Sequence, residues 1–99
     1  MAAAEPGTYR IVIADDDPYT GQLFRHVLTA EGHDVRLAGD GAEALALIAN
    51  CKPDLILLDL NMPHVSGYEV CRLVKQDPAT RLIPIVIITG ADGFDSKLR

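Results

Sequence analysis

The chain has too little positive charge to present a general nucleic-acid-binding face. Fourteen Asp and Glu against nine Lys and Arg leave a net charge of −5, whereas such a face needs a basic patch. It also lacks a long hydrophobic run. The longest apolar stretches are strand length, far short of the roughly 20 residues that span a bilayer, so no membrane is expected. The opening Met-Ala-Ala-Ala-Glu-Pro-Gly has neither the basic region nor the long apolar core of a signal peptide, and a cytoplasmic location is expected. Only two cysteines occur, Cys51 and Cys71, without metal-ligand spacing. They fit reduced, packed thiols of an intracellular protein. No internal repeat or linker divides the chain.

What is present is globular: 48 % hydrophobic and 23 % charged residues over 99 positions, enough for one core that buries roughly 60 to 70 % of the unfolded surface. Residues 1–8, rich in Ala with Pro6 and Gly7, read as a loose tail, and residues 9–99 as one domain. Short apolar runs alternate with helical patterns. A first strand is expected over about Arg10 to Ala14. Asp17 is then placed as helix N-cap with Pro18 at the first helical position, and Leu23, Phe24, Val27 and Leu28 share a face until Glu31-Gly32 stops the helix. Val35 and Leu37 alternate with polar neighbours in a second strand. Asp40 and Glu43 resemble a capping box before a helix that uses Ala42, Leu45, Ile48 and Ala49. Leu55 to Leu58 form a third strand after Pro53. Ser66 and Glu69 make a second box, before a helix burying Val70, Cys71, Leu73 and Val74. Pro84 precedes a fourth strand, Ile85 to Thr89. Strands alternating with helices imply right-handed βαβ units and a parallel sheet.

Asp59 is the most informative residue. It closes the apolar run Leu55-Ile56-Leu57-Leu58, while Asp15, Asp16 and Asp17 close Ile11-Val12-Ile13-Ala14. Runs of this kind read as strands covered on both faces, and open α/β sheets bind ligands at the carboxyl ends of their strands. The acids should therefore meet. Clustered carboxylates resist ionising together, and a hard divalent cation resolves the conflict; Mg²⁺ favours one or two carboxylates plus water and phosphate oxygens. Asp59 is the best nucleophile, since a carboxylate can attack phosphorus to give a mixed anhydride. A metal between Asp16, Asp59 and the phosphoryl oxygens would neutralise developing charge. Thr89 can donate a hydrogen bond to a phosphoryl oxygen, and Gly90 leaves room beside it. Asp17 is explained by its capping role. His26 and His33 are read as solvated or half-buried and His64 as a loop residue.

The set Asp15-Asp16, Asp59 followed by Asn61-Met62-Pro63 and Gly67, and the strand end Thr89 resembles the receiver domain of bacterial two-component response regulators. The resemblance covers nearly everything after the tail. It implies a flavodoxin-like, doubly wound parallel sheet, here with strand order 2-1-3-4 and strand 5 missing. It also implies that Asp59 is the phosphoacceptor, Asp16 a direct Mg²⁺ ligand, Asp15 a ligand through water, Asn61 the donor of a backbone carbonyl to the metal, and Thr89 the switch hydroxyl. The implied partner is a sensor histidine kinase or histidine phosphotransfer protein. Family members carry a further strand ending in a lysine, then a helix, and this chain stops at Arg99. Lys52, Lys75 and Lys97 do not stand in for that lysine, so Mg²⁺ binding is expected to survive and phosphorylation to be weakened. Lys52 precedes the third strand, at the wrong end of the sheet, and the other two follow no strand.

With no fifth strand in the sequence, residues 85–89 form an uncharged edge of the kind natural sheets avoid. Self-association as a homodimer through that strand, or poor solubility, is expected. Two other readings stand beside the phosphoacceptor. One is a receiver fold kept as an interaction module without phosphorylation. The other is a phosphatase of the haloacid dehalogenase type, which resembles Asp-x-Asp after its nucleophile where this chain has Asn61. A calcium loop of EF-hand type fails, because its Gly and Glu positions hold Thr20 and His26.

Overall fold

The computed structural model describes residues 7–88. Along the chain these form β1 (Arg10–Ala14), α1 (Pro18–Ala30), β2 (Asp34–Ala38), α2 (Gly41–Cys51), β3 (Leu55–Leu58), α3 (Gly67–Gln76) and β4 (Ile85–Ile87). The four strands make one parallel sheet in the order β2-β1-β3-β4. That is the expected α/β order. The fourth strand is shorter than the sequence suggests; Thr89 and Gly90 lie outside the described residues, as do residues 1–6 of the expected tail.

Alternation along β1 sorts the core onto two faces, because successive strand side chains point to opposite sides. Ile11 and Ile13 join Val35 and Leu57 under α1, with Phe24 and Leu28 packed against them. Val12 and Ala14 join Ile56, Leu58, Ala44, Ile48, Val70 and Val74 under α2 and α3. Helices on both faces explain why the strands are apolar throughout rather than alternating with polar residues.

The capping residues act locally as their sequence suggests, with two differences. Asp17 accepts hydrogen bonds from the Tyr19 N–H and the Thr20 hydroxyl. Asp40 accepts from the Glu43 N–H at 2.8 Å, but Glu43 returns its carboxylate to the N–H of Gly39 rather than to Asp40. Ser66 accepts from the Glu69 N–H, while the Glu69 carboxylate turns outward to Arg72. Neither motif is therefore a reciprocal box. The helix faces also differ from expectation. On α1, Leu23 and Val27 are 55 % and 52 % exposed, because the sheet reaches only the Phe24 and Leu28 side and no described element covers the rest. On α2 the buried positions are Gly41, Ala44 and Ile48; Ala42 and Ala49 face solvent and Leu45 is half-buried. Helix α3 buries Val70 and Val74, with Leu73 and Cys71 half-buried.

The sheet has two edges. At β2 the exposed side chains of Arg36 and Asp34 form an ion pair, the charged edge that discourages pairing with another chain. At β4 the exposed residues are Val86 and Ile87, 47 % and 42 % accessible. Both cysteines are free thiols and half-buried.

Candidate functional site

The pairing of β1 with β3 builds the site. Ala14 lies opposite Leu58, and the Asp59 N–H donates to the Ala14 carbonyl at 2.9 Å. The two strands therefore release their chains side by side, as acids. Asp15, Asp16 and Asp59 each bring a carboxylate oxygen within 4.8 Å of the other two. Asp15 and Asp59 are buried, at 9 % and 6 % exposure, and Asp16 faces solvent.

Two matching turns hold the buried pair. Asp15 Oδ1 accepts the N–H of Asp17 at 2.9 Å, and Asp59 Oδ1 accepts the N–H of Asn61 at 3.0 Å. In each case an aspartate bonds the backbone two residues on, the usual Asx turn. Each bond fixes one carboxylate oxygen. At about 5 Å and an effective dielectric near 20, two ionised carboxylates repel by roughly 3 kcal/mol. Burial pushes the Asp15 carboxyl from 3.8 up to about 6; the Asp17 N–H opposes this, while the charge and hydrogen bonding of Asp59 and the charge of Asp16 add to it.

Asp17 belongs to α1 and not to the cluster. Hydrogen bonds from the Thr20 hydroxyl and the Tyr19 N–H hold its carboxyl below the usual range. Asn61 follows Asp59 directly and is exposed, between the buried residues Leu60 and Met62. Thr89 lies outside the described residues, so its place relative to the acids rests on the sequence. The lysines behave as expected where they are described. Lys52 ends α2 with φ 48° and reaches the Ala49 carbonyl, and Lys75 bonds the carbonyls of Arg81 and Ile83. Neither approaches the acids through any of these bonds. A cavity of about 350 Å³ between α2 and α3, lined by residues including Leu45, Leu73 and Thr80, contains none of the three carboxylates. The three acids form a strand-end cluster apart from that cavity.

Two residues of the site's scaffold were not legible as such. Gly41 and Gly67 both sit where a side chain would collide with backbone. Gly67 is visible in sequence only as part of the loop pattern, and Gly41 only as the residue after an N-cap.

An open parallel sheet with paired acids at the ends of adjacent central strands defines a doubly wound α/β protein with an acidic cluster at the carboxyl ends of its strands. The family model for the response regulator receiver domain matches residues 11–98, and the chain belongs to that family, whose members act in two-component signalling. It is 46 % identical over 90 residues to the response regulator PleD of Caulobacter vibrioides, covering 91 % of this chain and 20 % of that protein. Against the DNA-binding response regulator MtrA of Mycolicibacterium smegmatis it is 41 % identical, covering 82 % of this chain and 34 % of the relative. The chain thus spans about a fifth to a third of these relatives. Among solved structures, a putative response regulator from Chloroflexus aurantiacus superposes with a TM-score of 0.83 at 33 % identity, covering 92 % of this chain and 75 % of the other. The chemotaxis response regulator CheY4 of Vibrio cholerae gives 0.82 at 30 % identity, with 92 % and 76 % covered. Among the described residues no helix is long and apolar enough to cross a membrane.

Proposed function

We propose that this receiver domain is a phosphoacceptor, taking a phosphoryl group on Asp59 from a histidine of a sensor histidine kinase or a histidine phosphotransfer protein. The observation that carries the reading is the meeting of Asp15, Asp16 and Asp59 within 4.8 Å at the ends of β1 and β3. The donor set fits Mg²⁺. Three carboxylates in so small a space, one of them pushed up to about 6 chiefly by burial, call for a hard cation with oxygen ligands. Asp15, Asp16, Asp59 and the backbone carbonyl of Asn61 would hold it. When bound, the cation supplies neutralisation of the negative charge on the phosphoryl oxygens.

The remaining chemistry belongs to the chain. The Asn61 N–H orients the Asp59 carboxylate through Oδ1 and leaves the other oxygen as nucleophile. That oxygen forms a bond to phosphorus while the P–N bond of the donor phosphohistidine breaks, its electron pair leaving with the imidazole nitrogen. Water later cleaves the aspartyl phosphate. Thr89 is assigned the hydroxyl that donates to a phosphoryl oxygen. Asp16, exposed beside the buried pair, is the acid a hydrated ion meets first. The exposed, uncharged residues of β4 support the self-association expected from the sequence. Asn61 in place of a second aspartate disfavours the phosphatase alternative.

Replacing Asp59 with Asn removes the nucleophile at nearly constant shape. Incubation with a labelled phosphohistidine donor and Mg²⁺ is expected to label wild type and leave Asp59→Asn unlabelled. Equal labelling of the two proteins would refute the assignment, and an unlabelled wild type that binds Mg²⁺ would favour the interaction module.

A further inference from the structure

The loop that carries Asn61 is braced by a helix that contributes no group to the acids. Gly41 opens α2, and a Cβ there would lie 2.3 Å from the backbone oxygen of Val65 and 2.7 and 2.8 Å from its Cβ and Cγ1. Real Cβ contacts essentially never fall below 3.0 Å, and the closest obstacle is backbone rather than a side chain that can swing away. Gly67 makes the next contact. Its missing Cβ would lie 2.3 Å from the carbonyl oxygen of Asp59 and 2.6 Å from the Cα of Leu60, and its N–H closes the loop onto the Leu60 carbonyl at 3.2 Å. A continuous line of backbone contact therefore runs from the start of α2, through Val65 and Gly67, to Asp59 itself.

We propose that Gly41 is a positioning residue of the acidic site: by lacking a side chain it lets α2 seat against Val65, which sets the loop 60–66 and with it the Asn61 carbonyl. The proposal rests on the metal-binding reading above. If the two segments are forced apart, the loop yields before the helix. The start of α2 is tied by Asp40 to the Glu43 N–H and by Glu43 to the Gly39 N–H, and Ala44 and Ile48 lock the helix into the core. The loop is held at Leu60 and Met62, which are buried, while Asn61, Pro63 and His64 between and beyond them are exposed. His64 holds φ at 65°, a left-handed conformation that costs a residue with a side chain and persists only where its surroundings enforce it. Val65 packed on Gly41 is part of that enforcement.

The sign of the Gly41→Ala effect separates this from ordinary helix propensity. A glycine without a close contact is improved by alanine in a helix, so a free Gly41 would gain stability and leave the site untouched. The contact instead requires Gly41→Ala to bind Mg²⁺ about ten- to hundredfold more weakly by calorimetry, the usual loss when support of a metal ligand is disturbed. It also requires the metal-free amide resonances of Asn61, Val65 and Gly67 to shift. Ile48→Val, which loosens the same helix nearer its C-terminal end and keeps the Gly41 contact, is expected to lower stability and keep the wild-type affinity.

Wild-type affinity and unmoved amides in Gly41→Ala, or an equal affinity loss in Ile48→Val, would overturn the proposal. Failure of the wild type to bind Mg²⁺ would instead overturn the metal reading, and the metal-free amide shifts would still decide whether Gly41 sets the loop. Should Gly41→Ala not fold, the wild type decides. On Mg²⁺ addition the Gly41 and Val65 amides must move with the same midpoint as Asn61, by the reciprocity of coupled sites, and their failure to move overturns the proposal.

Discussion

Asp15→Asn should have opposite effects with and without Mg²⁺, and the crossover tests the electrostatic account of the site. In the metal-free protein, burial above all, then the charge of Asp59, push the Asp15 carboxyl from 3.8 to about 6. A carboxyl whose folded value lies above its unfolded one favours the native state only while protonated. Its contribution is therefore best at low pH, falls as pH rises from about 4 to about 6, and is flat above that. Roughly two pH units at 1.36 kcal/mol each would cost close to 3 kcal/mol. The carboxyl borders the exposed Asp16 at a strand end, and solvent screening reduces this to about 1 kcal/mol. Asn keeps an oxygen for the Asp17 N–H and removes the charge. In EDTA, urea unfolding should show Asp15→Asn more stable than wild type by about 1 kcal/mol at pH 7, with the gap closing toward pH 4. Saturating Mg²⁺ should reverse the order, since a ligand at 100 times its dissociation constant stabilises the native state by about 2.7 kcal/mol and the variant lacks one of the proposed metal-holding carboxylates. A gap independent of pH, or the absence of a reversal with Mg²⁺, would refute the reasoning.

Other consequences are more local. Ile56, fully buried in the central strand, should cost about 2 to 5 kcal/mol when cut to Ala, measured by urea unfolding. Asp40→Ala, which loses the cap on the Glu43 N–H, should cost about 1 kcal/mol and lower the melting temperature by roughly 4 to 8 °C. Self-association through β4 should appear in light scattering as mass rising with concentration, and Val86→Lys, which places charge on that edge, should restore the monomer. A wild type that stays monomeric over a wide concentration range would refute the edge argument.

Strand ends, caps and the acids are local features, and they were legible for that reason. A strand of continuous apolar residues shows that both faces are covered, and the change to Asp marks where it stops. Asp17 before Pro18 is a helix start whatever surrounds it. The site was legible because its acids sit at strand ends, and the parallel pattern sends those ends to one edge. The faces of α1 and α2 were less so. Leu23 and Val27 satisfy helical periodicity as well as Phe24 and Leu28 do, but periodicity cannot say how wide a neighbouring sheet will be. The same applies to Ala42 and Ala49, whose small side chains suit either side of a helix. Glu69 had the spacing of a capping partner, and an arginine one turn away competed successfully for it.

The sequence by itself determined the alternation of strands and helices, the acids that end β1 and β3, and the residues that begin each helix, because each depends on a few adjacent residues. Only the tertiary structure decided the rest. Direct pairing of β1 with β3 puts Asp15 and Asp59 side by side, and their burial together pushes the Asp15 carboxyl up to about 6. The absence of side chains at Gly41 and Gly67 acquires meaning only where Val65 and Asp59 press against them. Such contacts join segments far apart along the chain, and close packing between them is set by the assembled fold rather than by any local preference.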